Sequence, residues 1–387
     1  AAISRRYRER ENHISSDSWP IYISLQKDGI LFKMRRTQDL PDKESATMFF
    51  QDCKLARQAQ ITGISHSIKE ILPPDLLDLT QLQKEANIRY GYTASEVYDI
   101  AQSLYEKKLI SYPRTSSRYL TEDVFDSLSP IMARLLSWEL FPAAKGTGGI
   151  DISSLSRHVI SAEKANVHHA IIITGIRPGN LSEKEMQVYR LVAGRMLEVF
   201  MAPCRIETTN VEAVCAAQHF KAEQTRIIEA GWHDVFMHSD MVPKSGYSVN
   251  ELPEVKKGDN LNVCGCNMVH KKELPVDPFT DAELVEYMEL NGLGTVSSRT
   301  NIIRTLVNRK YIRYSGKYIV PTPKGIFTYE TIRGKKIADT SLTADWEKQL
   351  AGLESGMITG QDFLNRIRTL AKEMTDDIFN TYSTKEE

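Results

Sequence analysis

Two stretches of this 387-residue chain repeat one pattern, and this repeat constrains the fold more than any other feature. Residues 93–112 align without a gap over residues 295–314, a shift of 202 positions. The identical pairs are Thr93 and Thr295, Ser95 and Ser297, Ile100 and Ile302, Leu104 and Leu306, Lys108 and Lys310, Ile110 and Ile312, and Tyr112 and Tyr314. They comprise a helix cap, apolar positions at helical spacing and the start of a strand. We therefore predict two copies of one unit, at 79–119 and 281–320.

The second copy indicates which unit this is. Thr280 and Glu283 have the spacing of a capping box, and Gly292-Leu-Gly294 marks a turn before a second helix. Two short strands then flank the hairpin dipeptide Ser315-Gly316. Helix, turn, helix and hairpin, in this order, are typical of a winged-helix DNA-binding unit.

The second helix of that unit separates apolar from basic positions. We predict that Ile302, Ile303 and Leu306 face the core. The exposed side would then carry Arg299, Arg304, Asn308 and Arg309. Such a face either contacts phosphates or is simply solvated, and the charge pattern alone favours neither.

Composition restricts the alternatives. Because 49 basic residues are balanced by 50 acidic ones, any nucleic-acid-binding signal must be local. The five cysteines form no CxxC pair, which favours free thiols in a reducing compartment over a zinc site. No apolar run reaches the roughly 18 residues of a membrane span, and no signal peptide is visible. The chain begins Ala-Ala-Ile without Met, which we interpret as the cut end of a longer protein.

Residues 109–118 contain a tyrosine among cations. Tyr112 lies between Lys107-Lys108 and the arginines Arg114 and Arg118. A phenol with a pKa of about 10 is a poor nucleophile, but nearby cations stabilise the phenolate and bind an anionic target such as a phosphodiester. The alternative is a tyrosine that packs its ring and leaves its hydroxyl in water.

Four segments occur in a fixed order: Gln102-Ser-Leu-Tyr-Glu106, Leu109-Ile-Ser-Tyr-Pro-Arg-Thr115, Val167-His-His-Ala-Ile-Ile-Ile-Thr174 and Gly292-Leu-Gly-Thr-Val-Ser-Ser-Arg-Thr300. Together they resemble type IA DNA topoisomerases, especially the topoisomerase III branch. Weaker likeness runs through 343–350, so the resemblance covers nearly the whole chain. It implies an α+β fold, a torus fragment with a β arch and two helical winged-helix-like domains.

The resemblance also implies domain bounds. We predict a stub at 1–17 that packs with the last domain, the two halves of the β arch at 18–77 and 200–270, a helical domain with the nucleophilic tyrosine at 78–199, and a winged-helix-like DNA-binding domain at 271–387.

The implied activity is transient cleavage of one strand of single-stranded or negatively supercoiled DNA. The tyrosine keeps the 5′ phosphate, another strand passes, and the 3′ hydroxyl reseals the break. An ester is exchanged for an ester, so no ATP is needed. Such an enzyme is expected with the nucleoid in the cytoplasm, and a helicase partner is left open.

The resemblance assigns roles to individual residues. Tyr112 would be the nucleophile, and Arg114 would grip the scissile phosphate. The residues implied to contact DNA are Gln102, Glu106, Thr115, Arg118, His168, Thr174, Thr295 and Arg299. Tyr314, followed by Ser-Gly instead of Pro-Arg, is predicted not to be a nucleophile.

Two departures and one absence qualify this pattern. Ser116 stands where the family commonly has Asp, and Ile173 stands where it has Pro. The family's N-terminal Toprim domain, with its glutamate, its Asp-x-Asp cluster for Mg²⁺ and its lysine, has no counterpart here, and residues 5–11 resemble a segment that follows it. We expect Mg²⁺ only in the longer parent protein. The isolated chain should bind single-stranded DNA without completing cleavage and religation.

Two other classes compete with this interpretation. A non-catalytic winged-helix module explains the helices and wings but not the tyrosine and histidine segments together. A tyrosine recombinase has His-x-x-Arg before a late tyrosine, whereas here Tyr112 comes early and no arginine stands three residues after His168.

Overall fold

The computed structural model describes residues 1–138, 140–141, 155–165, 168–236, 248–249 and 251–383. The helices are α1 (Ala2–Glu11), α2 (Lys43–Leu55), α3 (Leu79–Tyr90), α4 (Ala94–Glu106), α5 (Glu122–Asp126), α6 (Leu128–Ser137), α7 (Ala162–Ala165), α8 (Glu183–Glu198), α9 (Asp281–Leu290), α10 (Val296–Asn308), α11 (Pro323–Ile332), α12 (Thr340–Glu354) and α13 (Gly360–Ser383). The strands are β1 (Asp17–Ser18), β2 (Ile21–Lys27), β3 (Ile30–Arg36), β4 (Gln58–Ile71), β5 (Cys204–Cys215), β6 (Gln218–Glu229), β7 (Asn260–Met268), β8 (Lys271–Lys272), β9 (Phe279–Thr280), β10 (Ile312–Ser315) and β11 (Tyr318–Pro321).

Six antiparallel strands close into a barrel in the order β2-β3-β6-β5-β4-β7. Alternate residues of β2, Ile21, Ile23 and Leu25, are fully buried in its core, as the period of two in a strand requires. The resemblance implied an arch of strands. Closure, which follows from the pairing of β2 with both β3 and β7, was not predicted.

Three of the barrel strands continue past it as a ribbon. β4 pairs with β5 along its length, and β5 with β6, whereas β4 meets β7 only at residues 58–60. The far end of the ribbon reaches the helical part, where Ile206 is buried in the helical core and the Trp232 indole donates to the Ile71 carbonyl at 2.9 Å. The ribbon thus connects the barrel to the helices.

The helices α3, α4 and α8 build the core of the part that contains Tyr112. Thr93 with Glu96 caps α4, and Ser182 with Glu185 caps α8; both capping boxes are formed, as their spacing predicts. The buried face of α4 carries Val97, Ala101 and Leu104.

The second helical part contains α9, α10 and a hairpin. Thr280 and Glu283 form the predicted capping box of α9. β10 and β11 form the predicted hairpin, to which β9 adds a third strand. Helix α1 packs here, since the Ser4 hydroxyl donates to the Gly325 carbonyl at 3.3 Å and Arg8 bonds Glu330 at 2.9 Å.

The predicted repeat is confirmed for its helices. The shift of 202 carries the ends of α4 onto those of α10, and the starts of α3 and α9 coincide. After each second helix, Lys108 and Lys310 adopt the same left-handed φ of 59°. The Leu109 N–H then donates to the Leu104 carbonyl at 2.9 Å, as the Tyr311 N–H donates to the Leu306 carbonyl at 2.9 Å.

The first wing differs from the prediction, which confined this copy to 79–119. Ile110 pairs with Ile173 and Leu77 with Ile171, as Ile312 pairs with Pro321 and Phe279 with Ile319 in the second copy. The return strand of the first wing is therefore 171–173, and the chain between the two strands replaces a hairpin turn.

Within the described ranges, no helix has both the length and the apolar content that crossing a membrane requires.

Candidate functional site

The candidate site forms where residues 111–115 cross one face of α4. Tyr98, Gln102 and Tyr105 are spaced i, i+4 and i+7, so they share that face. The Tyr112 ring meets the Tyr105 ring edge-on with centroids 5.4 Å apart. The Arg114 guanidinium carbon lies 4.9 Å from the Tyr98 ring centroid, and its Nη2 donates to Gln102 Oε1 at 3.2 Å. Tyr112 and Arg114 therefore lie along the same helix face.

Tyr112 is half-buried, and its ring lies against the His168 ring, with centroids 4.5 Å apart. The preceding residue is fixed in the first wing: the Ser111 N–H donates to the Ile172 carbonyl at 2.8 Å, and the Ser111 Oγ accepts from the Ile172 N–H at 3.0 Å. The wing ladder thus sets the position of the phenol beside an exposed imidazole. Val167, the first residue of the predicted histidine segment, lies outside the described residues.

Gln102 connects the site residues on α4. Its Nε2 donates to Glu106 Oε1 at 2.8 Å, which leaves its Oε1 to accept from Arg114. The sequence predicted both Gln102 and Glu106 to line the site, and the structure brings them together with Arg114. Tyr98 and Tyr105 were missed, although their i, i+4, i+7 spacing with Gln102 was a usable signal.

Three of the predicted DNA-contacting residues use their polar groups within the protein. The buried Thr115 hydroxyl donates to the His168 carbonyl at 3.1 Å, so it orders the segment opposite Tyr112. Arg118 bonds the buried carboxylate of Asp78 at 2.7 Å. The exposed Thr174 donates to the Lys108 carbonyl at 2.6 Å. Thr322 of the second copy makes the same 2.6 Å bond to Lys310, which indicates a structural contact common to both copies.

Arg299 does not lie on an exposed basic face, contrary to the prediction. Only 10% of its side chain is exposed, and its Nη1 contacts Thr80 Oγ1 at 3.3 Å and Glu289 Oε1 at 3.6 Å. The cause is the packing of α3 against α9, which covers this end of α10. Ile302 was predicted to face inward but is 39% exposed, while Ile303 is buried.

The rest of the predicted basic face is divided. Arg304 bonds Asp99 of α4 at 2.8 Å, whereas Asn308 and Arg309 are exposed. Thr295 is exposed at the start of α10, where its N–H donates to Ser298 Oγ at 2.8 Å. Thr295 and Arg299 were the two residues of this part predicted to contact single-stranded DNA. Of the two, only Thr295 has an accessible side chain.

Tyr314, the counterpart of Tyr112, is in a different environment. Its hydroxyl donates to the buried Asp281 carboxylate at 3.1 Å, and burial raises the pKa of Tyr314. An oxygen held in this way is a poor nucleophile. That Tyr314 takes no part in catalysis stays a prediction.

In the described part of the chain, no group of three or more His, Cys, Asp or Glu side chains could hold a metal ion. Glu106 is bonded to Gln102, and Asp78 is paired with Arg118. Both carboxylates are thus engaged in contacts within the protein.

Comparison with known proteins decides the family. A family model described as DNA topoisomerase matches residues 1–365. The chain belongs to the DNA topoisomerase family. Among the curated relatives, DNA topoisomerase 3 of Bacillus licheniformis is 31% identical over 346 residues, which are 83% of this chain and 47% of that protein. DNA topoisomerase 1 of Methanocaldococcus jannaschii is 29% identical over 100% of this chain and 49% of its own length.

A solved structure agrees on the fold. Full-length topoisomerase I from Thermotoga maritima matches with a TM-score of 0.73 at 22% identity, over 96% of this chain and 61% of that chain. The predicted type IA topoisomerase resemblance and α+β fold class are therefore confirmed. The chain spans about half the length of the curated topoisomerases that it matches.

Proposed function

We propose that this chain is the tyrosine-bearing part of a type IA topoisomerase that acts on single-stranded or negatively supercoiled DNA. One observation carries the proposal: Tyr112 and Arg114 both lie against one face of α4, with the exposed His168 against the phenol. Relatives named DNA topoisomerase 3 support this choice of activity.

In the proposed reaction, Tyr112 Oη attacks the phosphorus of one phosphodiester. A bond forms between Oη and phosphorus while the bond to the 3′ oxygen breaks. The phenol loses its proton, and the leaving 3′ oxygen gains one. Arg114 would stabilise the charge that develops on the phosphate, and His168 would donate to a neighbouring phosphate. One ester replaces another, so religation is the reverse step and requires no ATP.

The proposal assigns Mg²⁺ to the Toprim domain of the longer protein, and no step passes through a metal held by this chain. We further propose that the isolated chain binds single-stranded DNA but does not complete a cleavage and religation cycle. The 387-residue chain should therefore leave a negatively supercoiled plasmid unrelaxed in the presence of Mg²⁺. Relaxation of the plasmid would contradict this part of the proposal.

The role of Tyr112 is tested by trapping the full-length protein on a single-stranded oligonucleotide. We expect a 5′-phosphotyrosine adduct at Tyr112, which Tyr112→Phe abolishes. Affinity for the oligonucleotide should change less than about twofold, because only one oxygen is removed. Tyr314→Phe is the matched control and should leave the adduct intact.

Other outcomes would identify the competing classes. A 3′ adduct would indicate recombinase chemistry, and binding without any adduct would indicate a non-catalytic winged-helix module. A DNA substrate of this kind would place the protein with the nucleoid in the cytoplasm, and whether a helicase supplies the single strand is left open.

A further inference from the structure

Arg114 differs from the other arginines near the site in its partners. Arg118 is paired with Asp78, and Arg299 lies beside Glu289. No ion pair joins Arg114 to a carboxylate in the part of the chain that the structure describes; an aromatic ring and a neutral amide contact it instead. Its Nε is buried and has no hydrogen-bond partner there. Such a guanidinium keeps its charge and donors for an anionic ligand.

Two residues one helical turn apart fix this guanidinium. The Tyr98 ring covers the group at 4.9 Å, within the range of a cation–π contact. Gln102 Oε1 accepts from Nη2 at 3.2 Å, and Glu106 orients the amide by accepting from its Nε2 at 2.8 Å. The ring restrains the guanidinium on one side and the amide restrains its rotation, so less side-chain entropy remains to be lost when a ligand binds.

The second copy of the unit lacks this arrangement. The positions of Tyr98 and Gln102 are occupied by Thr300 and Arg304, and the position of Arg114 falls on Gly316. Thr300 is buried and Arg304 bonds α4, so this face of α10 is used for packing. The ring and amide therefore accompany the arginine only in the copy that has the accessible tyrosine.

We propose that Tyr98 is a positioning residue: its ring, with the Gln102 amide, holds the Arg114 guanidinium so that its remaining N–H groups bind one phosphate of a single-stranded DNA beside Tyr112. The inference rests on the proposed function and adds a residue to it. The hydroxyl of Tyr98 is not required, because the contact with Arg114 is made by the ring.

The test measures the affinity of the 387-residue chain for a labelled single-stranded oligonucleotide in which one phosphate at a time is replaced by an uncharged methylphosphonate. In the wild type, replacement at one position should lower the affinity by about tenfold or more, as expected for the loss of a hydrogen bond to a charged group. This loss of affinity is the penalty that the variants are compared by. Arg114→Ala should abolish that penalty. Tyr98→Leu should reduce the penalty by at least half, whereas Tyr98→Phe should retain the full penalty.

Phe49→Leu is the matched control and should leave the penalty unchanged, because the Phe49 ring, on α2, lies 5.0 Å from the guanidinium carbon of Arg36 on the barrel strand β3. Thermal unfolding checks each variant, and Tyr98→Met replaces Tyr98→Leu if the latter is destabilised. A full penalty in both Leu and Met variants would overturn the role of Tyr98, as would a full penalty in Arg114→Ala. If the wild type bound no single-stranded DNA, the proposed function itself would fail.

Discussion

At the scale of single residues, the partner of each arginine determines what it can do. The Arg114 guanidinium contacts a ring and an amide, and within the described residues no carboxylate forms an ion pair with it. Arg299 is buried between Thr80 and Glu289, where an electrostatic contact within the protein uses that charge. Both were predicted from the sequence to bind DNA. Because their surroundings differ, we expect Arg114 to bind DNA and Arg299 to stabilise the fold.

Arg299→Leu should destabilise the fold more than it weakens DNA binding. Burial raises the pKa of Glu289 and leaves its carboxyl dependent on nearby cations. Removing the guanidinium should therefore cost about 1–3 kcal/mol in the free energy of unfolding, measured by denaturant titration. Arg309→Ala, an exposed change directly after the same helix, should cost less than about 0.5 kcal/mol. Unchanged stability of Arg299→Leu with weaker DNA binding would instead support a direct contact.

At the scale of elements, Glu185 connects the helix that carries the site to the helix packed behind it. Its carboxylate accepts from Lys107 Nζ at 2.6 Å, from Ser103 Oγ at 2.7 Å and from the Ser182 N–H at 3.0 Å. The Lys107 ammonium and the two other donors lower the pKa of Glu185 from 4.5 to about 2. One side chain thus caps α8 and ties it to α4.

This connection should make stability depend on pH. A carboxyl whose pKa is lower in the folded chain stabilises it fully above pH 4.5, and the contribution is lost as the pH falls toward 2. Compared with Glu185→Gln, the wild type should have the higher unfolding temperature at pH 6, and the difference should shrink by pH 2.5. Glu183→Gln removes an exposed charge from the same helix turn and should show a much smaller difference. A constant gap between wild type and Glu185→Gln across this range would contradict the assignment.

Local signals were sufficient to predict where three of the helices begin, but they did not predict α2. The capping boxes at Thr93, Ser182 and Thr280 join residues three positions apart, so their spacing alone locates the starts of α4, α8 and α9. Barrel closure and the return strand of the first wing depend on pairings between distant residues, such as Ile110 with Ile173. No local pattern encodes those pairings.

The site was predictable to the same extent. The motif around Tyr112 indicated the tyrosine, the arginine and the residues Gln102 and Glu106 on α4. It did not indicate that Arg299 would be buried, because that depends on how α3 packs against α9. Tyr98 was missed because its contact with Arg114 requires the chain to turn back across the helix.

At the scale of the whole molecule, the described residues form three separate apolar cores. One fills the barrel, one fills the tyrosine-bearing helices and one fills the second copy with α1. The ribbon of β4, β5 and β6 is the strand connection between the first two. Cores separated in this way need not unfold together.

Phe220→Ala should therefore act on the barrel alone. Phe220 is fully buried in the barrel core, so its truncation should cost about 3–5 kcal/mol there. Calorimetry should show one transition moving to lower temperature while a second stays in place. Leu104→Ala, in the core of the tyrosine-bearing helices, should move the other transition. A single transition that shifts equally in both variants would show that the cores unfold as one unit.

The split first wing also bears on ancestry. Two units with matching helix ends and one shared backbone conformation at Lys108 and Lys310 are what a duplicated gene segment would leave behind. In the second copy the short turn Ser315-Gly316 joins the two wing strands, whereas in the first copy the joining chain is much longer and includes Tyr112. A duplication of this kind would make the hairpin of the second copy the simpler form of the wing, and the longer connection of the first copy a later insertion.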